Sequence, residues 1–141
     1  MKTSTLLLVA FSLAACVRTP DEQKIRQTIA TMQQAVEAGA PRDFIAHVSA
    51  DFSGDRGSVD REGLHNLLRV QVLRNEHVNV LLGPIEVELQ GERATAKLTA
   101  TLTGRGASTL PERLTVLSIT SSWRRAGSAW ECYNAQWEQK L

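Results

Sequence analysis

Residues 94–103 read ATAKLTATLT, and this alternation of apolar and polar residues decides the fold. The apolar residues all fall on even-numbered positions: Ala94, Ala96, Leu98, Ala100 and Leu102. Because successive side chains of a β-strand point to opposite faces, these apolar residues would share one face, and the threonines would share the other with Lys97. The stretch therefore predicts a long strand that is buried on one side only.

The segment before this strand, from about His77 to Leu89, predicts its hairpin neighbour. Its apolar residues fall on even positions before Gly83-Pro84 and on odd positions after it: Val78, Val80, Leu82, Ile85, Val87 and Leu89. A change of parity inside one strand is typical of a β-bulge, in which one extra residue bends the strand and restores the inward face. Residues 90–93 (QGER) predict the turn between the two strands.

Two further strands are predicted downstream, over residues 112–125 and 129–138, with a turn at 126–128. Three of the four predicted strands approach a dozen residues, well above the usual length of about five or six. Strands of that length twist and curl instead of staying flat. The sheet is therefore expected to be strongly curved.

Helical patterns precede these strands. Residues 19–22 (TPDE) predict a capped helix start in which the Glu22 side chain reaches back to the cap, and an apolar stripe at helical spacing follows as far as Gly39. A second, shorter helix is predicted over 41–50, and a third over 60–75. These helices must cover the concave side of the sheet, because no segment after the sheet can do so.

The predicted fold class is therefore α+β. N-terminal helices would pack on a strongly curved antiparallel sheet of four to five strands, which together form a cone. A flat sandwich of helices on a sheet is the alternative. The length of the strands counts against that alternative, because long strands curl.

Three segments mark places in the predicted fold. Ala50-Asp51-Phe52 ends the second helix, Asp60-Arg61-Glu62-Gly63 opens the third, and Trp130-Glu131-Cys132-Tyr133 continues to Trp137 in the last strand. Their order along the chain resembles the nuclear transport factor 2-like superfamily, to which ketosteroid isomerase and polyketide cyclase relatives belong. The resemblance covers about residues 20–139 and implies the cone-shaped, cystatin-like fold of that superfamily. The same fold carries isomerases, dehydratases, ligand binders and dimerisation modules, so it leaves the activity open.

The N-terminal residues predict a secretion signal, because Lys2 is the only charged residue of the first fifteen and a short apolar run follows it. Leu13-Ala14-Ala15-Cys16 resembles the bacterial lipobox. That resemblance implies cleavage before Cys16, acylation of Cys16, and anchoring to membrane lipid in a Gram-negative envelope. Val17 after the anchor implies sorting to the outer membrane, facing the periplasm. The predicted organisation is a lipoprotein signal peptide over 1–15, a lipidated cysteine with a short tether over 16–19, and one domain over 20–141.

The composition and the spacing of particular residues argue against several classes of function. The chain has 141 residues, 43% of them hydrophobic, and a formal net charge of +1. This length fits one domain with a real core, and the near-neutral charge argues against a nucleic-acid binder. With Cys16 acylated, Cys132 has no disulfide partner and is expected to be a small buried residue. No metal is expected, because His47, His65 and His77 lack ligand spacing, and no cofactor is expected, because the sequence has no phosphate-binding loop.

The candidate catalytic residues are His47 and Asp51. His47 lies on the predicted second helix and Asp51 lies at its end, four positions later, so they would share one helical face and could act together as a base. The alternative is that Asp51 caps the following turn while His47 reaches solvent.

The candidate cavity residues lie in the last two strands. The rings of Trp123 and Trp130 could stack on a flat ligand, and core or dimer packing is the alternative for both. Ser118 and Thr120 belong to an unusually polar stretch that could hydrogen-bond a ligand, and an exposed sheet face is the alternative for these two residues.

Three functions are compatible with these observations. The favoured one is a membrane-anchored periplasmic module that binds a small apolar ligand or another protein and forms a homodimer through its sheet. The second is an isomerase or dehydratase that uses His47 and Asp51 inside the cone. The third is an accessory or inhibitor protein of an envelope or secretion system.

Overall fold

The computed structural model describes residues 19–75, 77–105 and 113–140. Within these residues the chain forms three α-helices: α1 (Pro20–Glu37), α2 (Pro41–Ile45) and α3 (Arg61–Arg74). It also forms seven strands there: β1 (Val48–Gly54), β2 (Val59–Asp60), β3 (His77–Leu82), β4 (Glu86–Gln90), β5 (Arg93–Arg105), β6 (Arg113–Ala126) and β7 (Ala129–Gln139). The strand order is β2-β1-β7-β6-β5-β3, and β4 also pairs with β5.

The predicted α+β class and the curled, mostly antiparallel sheet are confirmed. The sheet has seven described strands instead of four to five. The short strands β1 and β2 extend it beyond β7, and the strand predicted over 77–89 is divided into β3 and β4. Among the described residues, no helix combines the length and the apolar character needed to cross a membrane. The predicted signal peptide, Cys16 and residues 17–18 lie outside the described residues.

The predicted bulge at Gly83-Pro84 is confirmed. Both β3 and β4 pair with β5, and at the junction three residues of the outer strands, 83–85, lie opposite two residues of β5, 98–99. The Gly83 N–H donates to the Thr99 carbonyl at 2.8 Å, so the pairing continues into the bulge. The extra residue bends the strand, and apolar side chains on both sides of the bend face inward.

The second predicted helix is wrong beyond residue 45. Helix α2 ends at Ile45, and β1 follows it and pairs in parallel with β7. Val48 and Phe52 are both buried, and a separation of four residues places two side chains on one face of a strand as well as on one face of a helix. The edge of β7 offers backbone hydrogen-bonding groups that need partners, which favours the strand.

Helix α1 packs its apolar stripe into the concave side of the sheet. Its buried residues Ile25, Ile29 and Met32 join the core formed by β5, β6 and β7. The Thr19 hydroxyl accepts a hydrogen bond from the Glu22 N–H at 3.3 Å, which confirms the predicted cap. The Glu22 carboxylate does not reach back as predicted, because it pairs with Arg26 one turn later at 3.1 Å.

The same helix covers the open edge of the sheet at β3. Gln33 donates to the Val80 carbonyl at 2.7 Å, and Glu37 accepts from the Val80 N–H at 2.9 Å. Arg26 donates to the Ile85 carbonyl at 2.6 Å in the bulge. These side chains satisfy backbone groups that an edge strand would otherwise leave without partners.

Helix α3 lies across the open side of the cone. Its N-cap is Asp60, whose carboxylate accepts from the Gly63 N–H at 2.7 Å. It packs on α2, β1 and β2, and none of its residues is fully buried. Leu64 and Leu68 are partly buried against the core, so α3 presents its apolar side to the interior of the cone.

The outer face of the sheet carries exposed apolar side chains. Leu81 is exposed and lies beside Thr101, which in turn pairs with Val116. Leu114, near the start of β6, is exposed as well. Nothing in the single chain tests the homodimer expected through this face, so the dimer stays a prediction.

Candidate functional site

A cavity of about 590 Å³ lies between the helices and the concave face of the sheet. Its inner end is formed by buried residues: Ile29, Phe52, Trp123 and Cys132. Its exposed lining residues lie on α3 and at the end of β7: Leu67, Gln71, Arg74 and Gln139. The cavity therefore opens at this side of the cone, and its volume falls within the range of about 300–1,000 Å³ that is typical of small-molecule sites.

The strands line this cavity with the faces that the sequence predicts as buried. On β6 every second residue contributes, from the mouth to the inner end: Thr115, Leu117, Ile119, Ser121 and Trp123. On β5, Leu98 and Leu102 line the cavity together with Ala100 between them. A methyl group at this position fills little of the curved interior, so room for a ligand is left inside the cone.

The polar atoms at the inner end are already paired within the chain. The Trp123 indole N–H donates to the Ser121 hydroxyl oxygen at 2.9 Å, and that hydroxyl donates to the Ala96 carbonyl at 3.1 Å. Both side chains are buried. Because these groups satisfy one another, the inner end offers an apolar surface to a ligand.

Cys132 is the other chemically distinctive residue at the inner end. Burial raises the pKa of its thiol to about 12, and the thiol donates to the Asn134 carbonyl at 3.3 Å. A thiol with that pKa is protonated near neutral pH, and a protonated thiol is a poor nucleophile. Cys132 is thus a small buried residue, as the sequence predicts.

The structure does not join His47 and Asp51 on one helix. His47 follows α2 and is half-buried, whereas Asp51 lies on β1 with its side chain 65% exposed. The partners of the Asp51 carboxylate are the guanidinium of Arg124, at 2.6 and 2.9 Å, and the hydroxyl of Ser49, at 2.7 Å. Neither His47 nor Asp51 is among the described residues that line the cavity.

This arrangement makes Asp51 a weak base. The hydrogen bonds from Arg124, and then the one from Ser49, hold the pKa of the Asp51 carboxyl well below its usual range. A general base works best when its pKa lies near the operating pH. Ion pairing at the surface therefore describes Asp51 better than proton abstraction does.

The four candidate cavity residues separate into two groups. Trp123 lines the cavity, but Trp130 is buried away from it, and its indole N–H donates to the Asp21 carboxylate at 3.2 Å. Ser118 and Thr120 occupy even positions of β6, whereas the lining residues of that strand are odd-numbered. Of the four, Trp123 is the one in the described cavity wall, and alternation along the strand turns Ser118 and Thr120 to the outer face.

Several residues of the site were not among those predicted from the sequence. Ser121 could have been found, because it shares the parity of Ile119 and Trp123 in a strand that was predicted correctly. The sequence does not indicate that Gln71 and Arg74 lie at the mouth, because their position depends on how α3 lies across the cone. Within the described part of the chain, no three His, Cys, Asp or Glu side chains form a group that could hold a metal ion.

Comparison with known proteins gives matches among solved structures alone, since no family profile and no curated protein matches the chain. A candidate scytalone dehydratase from Novosphingobium aromaticivorans matches with a TM-score of 0.77 at 10% identity, over 84% of this chain and 83% of that one. A nuclear transport factor 2-like protein with a cystatin-like fold from the same species matches with a TM-score of 0.69 at 19% identity, over 85% and 82%. A type 3 hexachlorocyclohexane dehydrochlorinase from Novosphingobium barchaimii matches with a TM-score of 0.71 at 13% identity, over 84% and 86%. At these identities the likeness establishes a shared fold.

Proposed function

We propose that this chain, which has the nuclear transport factor 2-like fold, is a lipid-anchored binding protein of the cell envelope that holds a small apolar molecule inside its cone. The observation that carries the proposal is the cavity of about 590 Å³ with its apolar wall. Burial of apolar ligand surface against such a wall stabilises the complex by about 25 cal/mol per Å² before the costs of association are subtracted. A cavity of this size accommodates one small molecule.

The ionisable groups of the wall favour binding over acid–base catalysis. Of the described lining residues, Arg74 and Cys132 are the ones with an ionisable side chain. Arginine stays protonated throughout the physiological range, and the raised pKa of Cys132 keeps its thiol protonated as well. Neither group serves as a general base near neutral pH.

An isomerase or dehydratase is the second candidate function, and the shared fold favours it. The structures that share the fold include a candidate scytalone dehydratase and a hexachlorocyclohexane dehydrochlorinase. An enzyme of that class would change its ligand chemically. Mass spectrometry of a ligand recovered after incubation with the protein separates the two functions, because a binding protein returns it unaltered.

The binding function is tested with an uncharged fluorescent probe, N-phenyl-1-naphthylamine, titrated against the full chain carrying Cys16→Ala, which requires no detergent. We expect Ala100→Phe to raise the Kd of the probe at least about tenfold, because Ala100 lines the cavity and a phenyl ring at this position occupies the ligand volume. The cost in stability should be modest, since the ring enters existing space. Far-UV circular dichroism checks that the variant is folded.

Thr99→Phe is the matched control. Thr99 is the preceding residue of β5 and is exposed on the outer face, so the same ring there should leave the Kd unchanged. The binding function would be contradicted if the unsubstituted protein showed no saturable binding of the probe, or if both substitutions changed the Kd equally.

The anchor is the second part of the proposal. The lipobox-like segment at Leu13–Cys16 supports acylation of Cys16, and Val17 supports an outer-membrane location facing the periplasm. Several acyl chains on one residue hold a protein on a bilayer stably, because each buried methylene contributes about 0.8 kcal/mol. The ligand would then be held at the periplasmic surface of that membrane.

A further inference from the structure

The mouth of the cavity differs chemically from its interior. Of the described residues that line the cavity, Arg74 is the one that carries a charge at neutral pH. It lies in the last turn of α3, and its side chain is exposed. No carboxylate among the described residues forms an ion pair with it, although other basic side chains of the chain, such as Arg124 and Arg125, have acidic partners.

Two carboxylates on elements that contribute to the cavity wall have partners of their own. Glu37 accepts the Val80 N–H on β3, and Glu138 pairs with Lys140 at 2.9 Å at the end of β7. The guanidinium of Arg74 therefore presents its N–H donors at the rim of an apolar space. A guanidinium matches a carboxylate group in shape, because two parallel N–H donors meet two oxygens.

The polar rim is held in place by close packing. The Asn75 carboxamide N–H donates to the Gln71 carbonyl at 2.9 Å, which caps the end of α3. A Cβ atom at Gly104 would lie 2.5 Å from the Asn75 carboxamide oxygen, so glycine at this position lets the end of α3 approach β5 closely. This contact fixes where Arg74 stands relative to the cavity.

The cavity is also long. Along β6 the lining residues run from Thr115 at the mouth to Trp123 at the inner end. These two residues are eight steps apart, which corresponds to about 26 Å along the strand at a rise of ~3.3 Å per residue. An elongated apolar space suits a flexible chain better than a compact ring system.

We propose that the ligand class is a long-chain carboxylate, with its hydrocarbon chain along β6 and its carboxylate bound by Arg74 at the mouth. This assignment rests on the proposed binding function and adds to it the chemistry of the ligand. Dispersion contacts and burial of the chain supply affinity, and the guanidinium of Arg74 sets the preference for an anionic head group.

The test compares dodecanoate, dodecanol and dodecyltrimethylammonium as competitors of the bound uncharged probe, with the full chain carrying Cys16→Ala. All three competitors carry the same alkyl chain and differ in head-group charge. We expect dodecanoate to displace the probe at about fivefold lower concentration than dodecanol, and the ammonium compound to be the weakest, as suits one partly exposed ion pair. The preference of the protein for dodecanoate should fall as ionic strength rises.

The variant that tests the residue is Arg74→Gln, with Arg69→Gln as the matched control. Arg69 is exposed on the same helix and does not line the cavity, so its substitution should leave all three affinities unchanged. Arg74→Gln should remove the preference for dodecanoate and leave the affinity for dodecanol as it was. The assignment would be overturned if the unsubstituted protein bound dodecanoate and dodecanol equally well, or if Arg74→Gln lowered the affinity for both equally. Binding of the probe would still support the binding function in either case. Failure of the probe itself to bind would instead remove the function on which the assignment rests.

Discussion

Replacement of Trp123 by alanine will lower the free energy of unfolding by about 3–5 kcal/mol. Trp123 is 1% exposed and packs at the inner end of the cavity between the sheet and α1. Its loss would remove a large apolar contact and merge the new space with the existing cavity, and the surrounding strands can close that space only in part. Urea unfolding followed by far-UV circular dichroism measures the change, since the fluorescence of the protein depends on the tryptophan itself.

Two substitutions on the same strand control this prediction. Trp123→Phe keeps most of the ring and removes the N–H that donates to Ser121, so it should cost about 1–2 kcal/mol. Thr120→Ala changes an exposed residue of the outer face and should stay within about 0.5 kcal/mol of the unsubstituted protein. A loss of less than about 1 kcal/mol in Trp123→Ala would show that the inner end of the cone is not a packed core.

Those parts of the fold that depend on strict alternation could be predicted from the sequence. Side chains of a strand alternate between two directions, so the pattern of 94–103 predicts one apolar face. For the same reason, the change of parity at Gly83-Pro84 predicts the position of the bulge. β1 was missed, because Val48 and Phe52 fit a helix and a strand equally well. What decides between them is a long-range pairing with β7, which local sequence does not contain.

The site was less predictable than the fold for the same reason. Trp123 was found because it is a large aromatic residue with the parity of the buried face. Arg74 was not found, because basic residues are common in the last turn of a helix, where they interact favourably with the helix dipole. Its role follows from the way α3 crosses the open side of the cone, and α3 buries none of its residues fully.

The cavity mouth and the start of the domain lie at opposite ends of the sheet. The Asp21 carboxylate accepts from Arg125 at 2.8 Å and from Trp130 at 3.2 Å, so α1 begins beside the turn between β6 and β7. The mouth lies near Gly104, ten residues along β5 from Ala94, which pairs with Trp123 near that turn. Ten residues of strand correspond to about 33 Å. A chain tethered through Cys16 would therefore hold its cavity mouth away from the lipid surface.

If Cys16 carries the proposed acyl chains, we expect Cys16→Ala to move the protein from the membrane fraction to the soluble periplasmic fraction almost completely. The substitution removes the thiol that would carry the diacylglyceryl group. The loss of several acyl chains removes many methylene groups at about 0.8 kcal/mol each, which exceeds what weak surface contacts supply. Fractionation of cells, with immunoblotting of each fraction, measures the change.

Cys132→Ala is the matched control, because it removes a cysteine that is buried in β7 and leaves the lipobox-like segment unchanged. It should stay with the membranes. The described core is built from residues between Ile25 and Trp137, and we expect the purified Cys16→Ala chain to unfold at the same urea concentration as the lipid-free unsubstituted chain. A change of location without a change in stability would thus report the anchor alone. Cys16→Ala protein that still sediments with the membranes would argue that another part of the chain, such as the exposed outer face of the sheet, holds it there.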